Sequence, residues 1–487
     1  MYGLAFFWFA IDSQSIRNTA WLCKLVQIGF SNQKQIAMSQ ASDASTQWTE
    51  ATLAYAQHIN DYVARGDACG WKGMGDPNQP PDLSALLPEL LNQLRAANAQ
   101  GSDAAIAEVR KQWPPLYEAL QPLLESNGQG IGALAWLPSG ELLVRTGMWY
   151  EPGHSVLIRD LQVTDLPGME MFGISPNQQV AGFAGYGQVT LIQTADQSPI
   201  RGFDLPDGSE ELPPGYPLPS QDDDSENNGD TAQKGLVSPV QQLIPFDDAS
   251  AVVVVQSTGV FLVSESHTKR LLPLASELTE AMEQGEPYPV RIDMCHAAVS
   301  PDGRLIACGE QDGRHRIFNA QGELIDSIGP HGEYPHHAAF FADGQHVALN
   351  ACHFYNGGTI AVDVNALGSI DTDFYEEHPA VQVIDSSARV YASAPVGDSL
   401  ALGDANGYFW VRNPEGELQW KQHLGSTISA MAVSADGKML AVGSYSGMVH
   451  IIDLTNTEAA PEQVGVRARR EVRRWLFWKT EERPLAW

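Results

Sequence analysis

The feature that most constrains this chain is a phrase written twice. Residues 297–305 read AAVSPDGRL and residues 431–439 read MAVSADGKM. Each is an apolar strand running into an Asp-Gly turn, Asp302-Gly303 and Asp436-Gly437, and each is followed by a second apolar strand. Asp-Gly accepts positive φ at the central positions of a tight turn, so each phrase predicts a β-hairpin. A hairpin that recurs along one chain predicts a series of similar β-sheet units.

Weaker copies extend the series. Ala133 to Trp136 with the turn Pro138-Ser139-Gly140 starts the first unit, and the second centres on Ser175-Pro176-Asn177. Gln242 to Phe246 with Asp247-Asp248 is the third, and the Asp302 phrase is the fourth. Ala338 to Phe341 with Ala342-Asp343-Gly344 is the fifth, Val381 to Ile384 with Ser386-Ser387 the sixth, and the Asp436 phrase the seventh. Neighbouring turns are mostly about 40 to 55 residues apart, the length of a four-stranded propeller blade. The predicted fold is all-β, a β-propeller of about seven blades, with a small N-terminal α-helical unit.

Four regions follow. Residues 1–37 hold Phe6-Phe7-Trp8-Phe9 but no basic run before it and no clean cleavage site. They read as an extension ahead of an ordinary start at Met38, with a short membrane-associating segment as the rival. Residues 38–128 read helical: Trp48, Ala51, Tyr55, Ile59 and Tyr62 form one stripe. Leu83 to Leu94 form another, with Asp82 as its N-cap and Pro88 near its start. A third helical stretch begins near Ser102 and is broken or kinked at Pro114-Pro115. Residues 129–463 are the propeller, and residues 204–235 within it, rich in Pro, Asp and Ser, are expected to be a disordered insertion. Residues 464–487 form a basic, Trp-rich tail, including Arg467 to Arg474, that either packs on the acidic body or reaches a partner.

The stretches Ala298 to Phe318 and Ala432 to Asp453 resemble WD40-type repeats of a degenerate, bacterial type. Both keep the Ser-Pro/Ala-Asp-Gly turn, a second small-residue turn and a third apolar strand. The Trp-Asp dipeptide is absent, with Asn319 and Asp453 near its positions. The Gly-His dipeptide before each blade is absent too, so that family's Asp–His–Ser–Trp network is not implied. The resemblance implies a propeller acting as a platform for protein partners, and propellers otherwise leave function open.

The net charge of −30 over 487 residues argues against nucleic acid and against anionic membrane as partners. Five cysteines without zinc-knuckle spacing argue for a reducing, cytoplasmic setting. A monomer or weak oligomer is expected.

Histidine is unevenly spread: five of 13 fall between His331 and His353. His296 precedes Asp302 by the same interval that separates His337 from Asp343, so the two hold equivalent places at the start of innermost strands in adjacent blades. Cys295 and His336 are likewise matched. In a propeller the loop between second and third strands returns to the face where the first strand begins. His331, Glu333, Cys352, His353 and Tyr355 are therefore expected to join them. Trp149, Tyr150 and His154 are the parallel in the first blade. The expected binding face is thus Trp149, Tyr150, His154, His296, Glu333, His337, His353 and Tyr355. The alternative is a metal-binding or enzymatic propeller, of hydrolase or oxidoreductase type, with His296, His337, Cys352 and His353 holding zinc, copper or iron. No catalytic residue and no cofactor is assigned. Asp371, Asp373, Glu376 and Glu377 read as an acidic, exposed approach to the sixth blade.

Overall fold

The Ser-x-Asp-Gly phrase folds identically in both copies. The Ser300 hydroxyl donates to Asp302 Oδ1 at 2.7 Å and accepts from the Leu305 amide at 2.9 Å. Ser434 does the same with Asp436 at 2.8 Å and Met439 at 2.9 Å. Gly303 N–H closes the turn on the Ser300 carbonyl, and Gly303 has φ +69°. Only the glycine is left-handed here; Asp302 is not, so the centre of the turn is Pro301-Asp302 with Gly303 as a bulge. Asn177 replaces the aspartate in the second unit and keeps the pattern, taking the Ser175 hydroxyl at 2.9 Å.

The computed structural model describes residues 43–148, 151, 153–218, 238–311, 313–329, 331–354, 356–370 and 378–487. Among them are seven antiparallel sheets in a closed ring. Blades 1 to 3 begin with strands Ile131–Trp136, Met171–Ile174 and Gln242–Pro245. Blade 4 is His296–Val299, Leu305–Gly309, His315–Asn319 and Leu324–Ile328. Blade 5 is Tyr334–Phe340, His346–His353, Asn356–Asp363 and Val381–Asp385. Blades 6 and 7 begin with Val390–Val396 and Ile428–Val433, and the first strands of blades 7 and 1 pack together to close the ring. The core lies between blades, as in the wholly buried Val252 to Val255 of blade 3.

Three boundaries differ from the sequence reading. Val381–Asp385 is the outermost strand of blade 5, and blade 6 starts at Val390. Its hairpin turn is the two residues Gly397-Asp398, without the serine that marks blades 2, 4 and 7. Residues 205–218 of the expected disordered insertion are fixed in place: Arg270 donates to the carbonyls of Gly208 at 2.6 Å and Glu210 at 2.9 Å. Leu212 and Tyr216 pack on the core between blades 3 and 4. The third difference is that the C-terminal segment belongs to the propeller. Val464–Val466 adds a fifth strand to blade 6, and Arg470–Leu476 is the fourth strand of blade 7.

The helical unit is bound to this last strand. Residues 43–69 are helical, followed by Leu87–Gln100, Asp103–Gln112 and Tyr117–Asn127. Pro114-Pro115 breaks the chain between the last two. Asp82 accepts from the Ser84 amide at 3.0 Å, ahead of a 3-10 turn, rather than capping the helix that starts at Leu87. Leu87, Leu90 and Leu94 join Trp48, Trp113, Trp475 and Trp487 in one core. Residues 1–42 lie outside the described residues.

Candidate functional site

In an antiparallel blade, the start of the first strand, the end of the second and the start of the third share one face. His296 starts the first strand of blade 4, Gly309 ends its second and His315 starts its third. His296 pairs with Gly309 across the sheet, and a Cβ on Gly309 would lie 3.0 Å from His296 Nε2. Without that side chain the His296 and His315 rings meet edge to face, 5.2 Å apart. His331, on the loop into blade 5, stacks on His315 at 5.5 Å, and His337 stacks on His296 at 6.5 Å. Four imidazoles thus form a chain between blades 4 and 5.

The chain is electrically neutral near pH 7. Burial pushes His296 and His331 down to about 4. Burial, then the neighbouring imidazoles of His296 and His336, push His337 to about 3. His315 is driven well below its usual value by burial and by the other three rings. Three of the rings are oriented by hydrogen bonds. His296 Nδ1 donates to the Met294 carbonyl at 2.8 Å, and His331 Nε2 donates to the Leu349 carbonyl at 2.9 Å. His337 Nε2 meets the Ser393 hydroxyl at 2.8 Å.

A bulge between Pro335 and His337 separates His336 from His337. His336 Nδ1 donates to the Val390 carbonyl at 2.5 Å, and its Nε2 accepts from Arg389 at 3.2 Å. Arg389 also lies over the Tyr391 ring at 5.1 Å and donates to the Phe354 carbonyl at 2.6 Å. Tyr391 meets Tyr445 of blade 7 at 5.9 Å. An aromatic group with one guanidinium therefore runs from blade 5 across blade 6.

The exposed part of the face stands on the hairpin at the end of His346–His353. His353 Nδ1 and Glu333 Oε2 are 2.5 Å apart, both about half exposed. Phe354 at the tip is 65% exposed with φ +46°. Beside it, a cavity of about 240 Å³ opens between this hairpin and the end of Val381–Asp385. Ala351, Cys352, Gly358, Ile360 and Val383 are among its walls.

The structure brings together only part of what the sequence suggested. His296 and His337 are neighbours, as their register predicts. Cys352 and His353 face opposite ways, as successive strand residues must: Cys352 is buried and its thiol raised by that burial, while His353 reaches solvent. Cys295 is similarly pushed up to about 12, its Sγ 3.1 Å from Gln241 Oε1. Among the described residues no three His, Cys, Asp or Glu side chains are placed to hold a metal ion. His154 pairs instead with Asp165 at 3.1 Å, and two blades intervene between blade 1 and the imidazole chain in either direction. Trp149, Tyr150, Tyr355, Asp371, Asp373, Glu376 and Glu377 lie outside the described residues. Sequence reading missed His315, Arg389, Tyr391 and Tyr445. The signal for His315 was its place at the start of a third strand, on the face already chosen.

The family described as "WD domain, G-beta repeat" matches residues 416–453. That span covers the fourth strand of blade 6 and the first three strands of blade 7. The chain is a seven-bladed β-propeller with one stretch that matches the WD40 repeat. Among solved structures, the β-propeller domain of Cps50 (Swd1) from Myceliophteria thermophila is similar at 14% identity and a TM-score of 0.43, over 66% of this chain and 96% of that one. No curated protein matches the sequence. No helix among the described residues is long and apolar enough to cross a membrane.

Proposed function

We propose that this propeller binds a protein partner through the face of blades 4 to 6 that carries His353, Glu333, Phe354 and Arg389. The observation that supports it is Phe354: a large apolar side chain, 65% exposed, held at a hairpin tip by the Arg389 bond to its own carbonyl. Aromatic and arginine side chains are the groups that most often anchor interfaces. His296, His315, His331 and His337 form the neutral, buried floor beneath, which favours a structural role over proton transfer near neutrality. The four described cysteines are free, which supports a reducing, cytoplasmic setting.

Affinity capture from the native cell tests the reading with three proteins: wild type, a Glu333→Lys/Phe354→Asp variant, and a Lys438→Glu control on the opposite face. The expected result is a partner lost only from the double variant. An unchanged set of partners in the double variant would refute the reading.

A further inference from the structure

We propose that the cavity on blade 5 receives one bulky apolar side chain of a basic partner polypeptide, an assignment that rests on this face being the binding face. Size comes first. The cavity measures about 240 Å³. An apolar cavity of about 150 Å³ admits benzene, so this one has room for a Phe or Trp side chain.

Chemistry comes second. Its walls include Ala351, Ile360, Val383 and the Cys352 thiol, which burial keeps protonated. A fifth residue of the wall is Gly358. Its φ is not left-handed, and a Cβ there would meet only the Asp385 carbonyl oxygen, at 3.7 Å. The backbone therefore does not require glycine. Glycine inside a strand costs about 0.5–1 kcal/mol, and its presence there marks sites where another group approaches closely. Here the missing side chain leaves the cavity open.

The rim comes third. Val383 lines the cavity and is 54% exposed, and Phe354, 65% exposed, stacks edge to face at 4.7 Å on the wall residue His353. An exposed apolar residue in the wall, with a second one packed against the neighbouring wall residue, suits the surroundings of a buried anchor. Glu333 pairs with the wall residue His353, and the whole chain carries a net charge of −30. Basic flanking residues would complement both, and electrostatic complementarity selects the partner and speeds its approach.

Calorimetry with three probe peptides tests this on the full chain: acetyl-Lys-Lys-Trp-Lys-Lys-amide, the same peptide with Ala for Trp, and acetyl-Glu-Glu-Trp-Glu-Glu-amide. The first is expected to bind at least about ten-fold more tightly than the other two. Gly358→Val, which narrows the cavity, and Val383→Glu, which charges an already exposed rim position, should each weaken it by about ten-fold or more, with unfolding temperatures near that of wild type. Should Gly358→Val fold poorly, Val383→Glu alone decides. Equal binding of the Trp and Ala probes, no binding of the Trp probe at millimolar concentration, or undiminished binding by the variants would overturn the assignment. If Gly358→Val and Val383→Glu retain a native partner that Glu333→Lys/Phe354→Asp loses, the cavity assignment fails and the face stands. If the double variant loses nothing, the face itself is wrong.

Discussion

The imidazoles of His296 and His315 meet 5.2 Å apart only because Gly309 between them has no side chain. His296 starts the first strand and His315 the third, so neither is near the other in sequence. A Cβ on Gly309 would come within 2.9 Å of His296 Cε1 and 3.1 Å of Pro335 Cβ. Neither neighbour is a flexible tip. Gly309→Ala should therefore overpack the seam between blades 4 and 5 and destabilise the chain by about 1–3 kcal/mol. Urea unfolding measures this, and a change below about 0.5 kcal/mol would mean that the seam yields.

The same imidazoles make stability depend on pH. A histidine held neutral in the fold but free to protonate at about 6.5 in the unfolded chain favours unfolding as acid is added. The loss begins as pH falls through about 6.5 and continues to each folded value, about 4 for His296 and His331 and about 3 for His337. Each group contributes up to about 1.4 kcal/mol per pH unit in that window. Chemical unfolding at pH 7.5, 6.5 and 5.5 should show a steep decline, and His296→Gln should reduce its slope by about one proton. An unchanged slope in that variant would remove His296 from the account.

The hydroxyls of the repeated turn offer a local test. Ser300 and Ser434 each join an aspartate to the first amide of the following strand. Ser434→Ala removes two hydrogen bonds at a partly exposed site, and should cost about 1–2 kcal/mol. Asp436, held down to about 2 chiefly by its Ser434 and Lys438 partners, should then titrate at higher pH. Carboxyl NMR shifts read that directly; a pKa unmoved by the substitution would leave the hydroxyl without a role.

These residues also show what sequence can and cannot disclose. The Ser-x-Asp-Gly turn is a local device, written in six residues, and it exposes blades 4 and 7 at once. Blade 6 is hidden because Gly397-Asp398 makes a shorter turn with no such marker. The equivalence of His296 and His337 follows from counting along matched strands. The contribution of His315 depends on strand pairing through Gly309, which no spacing in one strand reveals. The Arg470–Leu476 strand is the hardest case, because its burial inverts the usual rule. Glu471 and Arg474 are buried, while Val472 is 40% exposed. Read by hydropathy alone, such a segment looks like a charged tail.

That inversion has a strong consequence. Glu471 accepts from Arg110 of the helical unit at 3.1 Å, from Arg474 at 3.0 Å and from His450 of the adjacent strand at 3.0 Å. The two guanidiniums, with His450, hold its carboxyl well below the usual range despite a burial that pulls the other way. Glu471→Gln leaves Arg110 and Arg474 without a counter-charge in the interior. Breaking one partner of a buried pair costs about 3–5 kcal/mol. The helical unit should loosen first, because Arg110 is among its ties to the last strand. Limited proteolysis should then cut the loop between Gly70 and Leu83 faster, while the propeller strands stay protected. Removal of residues 464–487 is the extreme form, since it deletes the outer strand of blade 7 and the partners of Trp113 and Arg110. The truncated chain should be insoluble or unfolded rather than merely unable to bind. A soluble, cooperatively folding truncation would show that blade 7 stands without its fourth strand and that this segment is free for a partner after all.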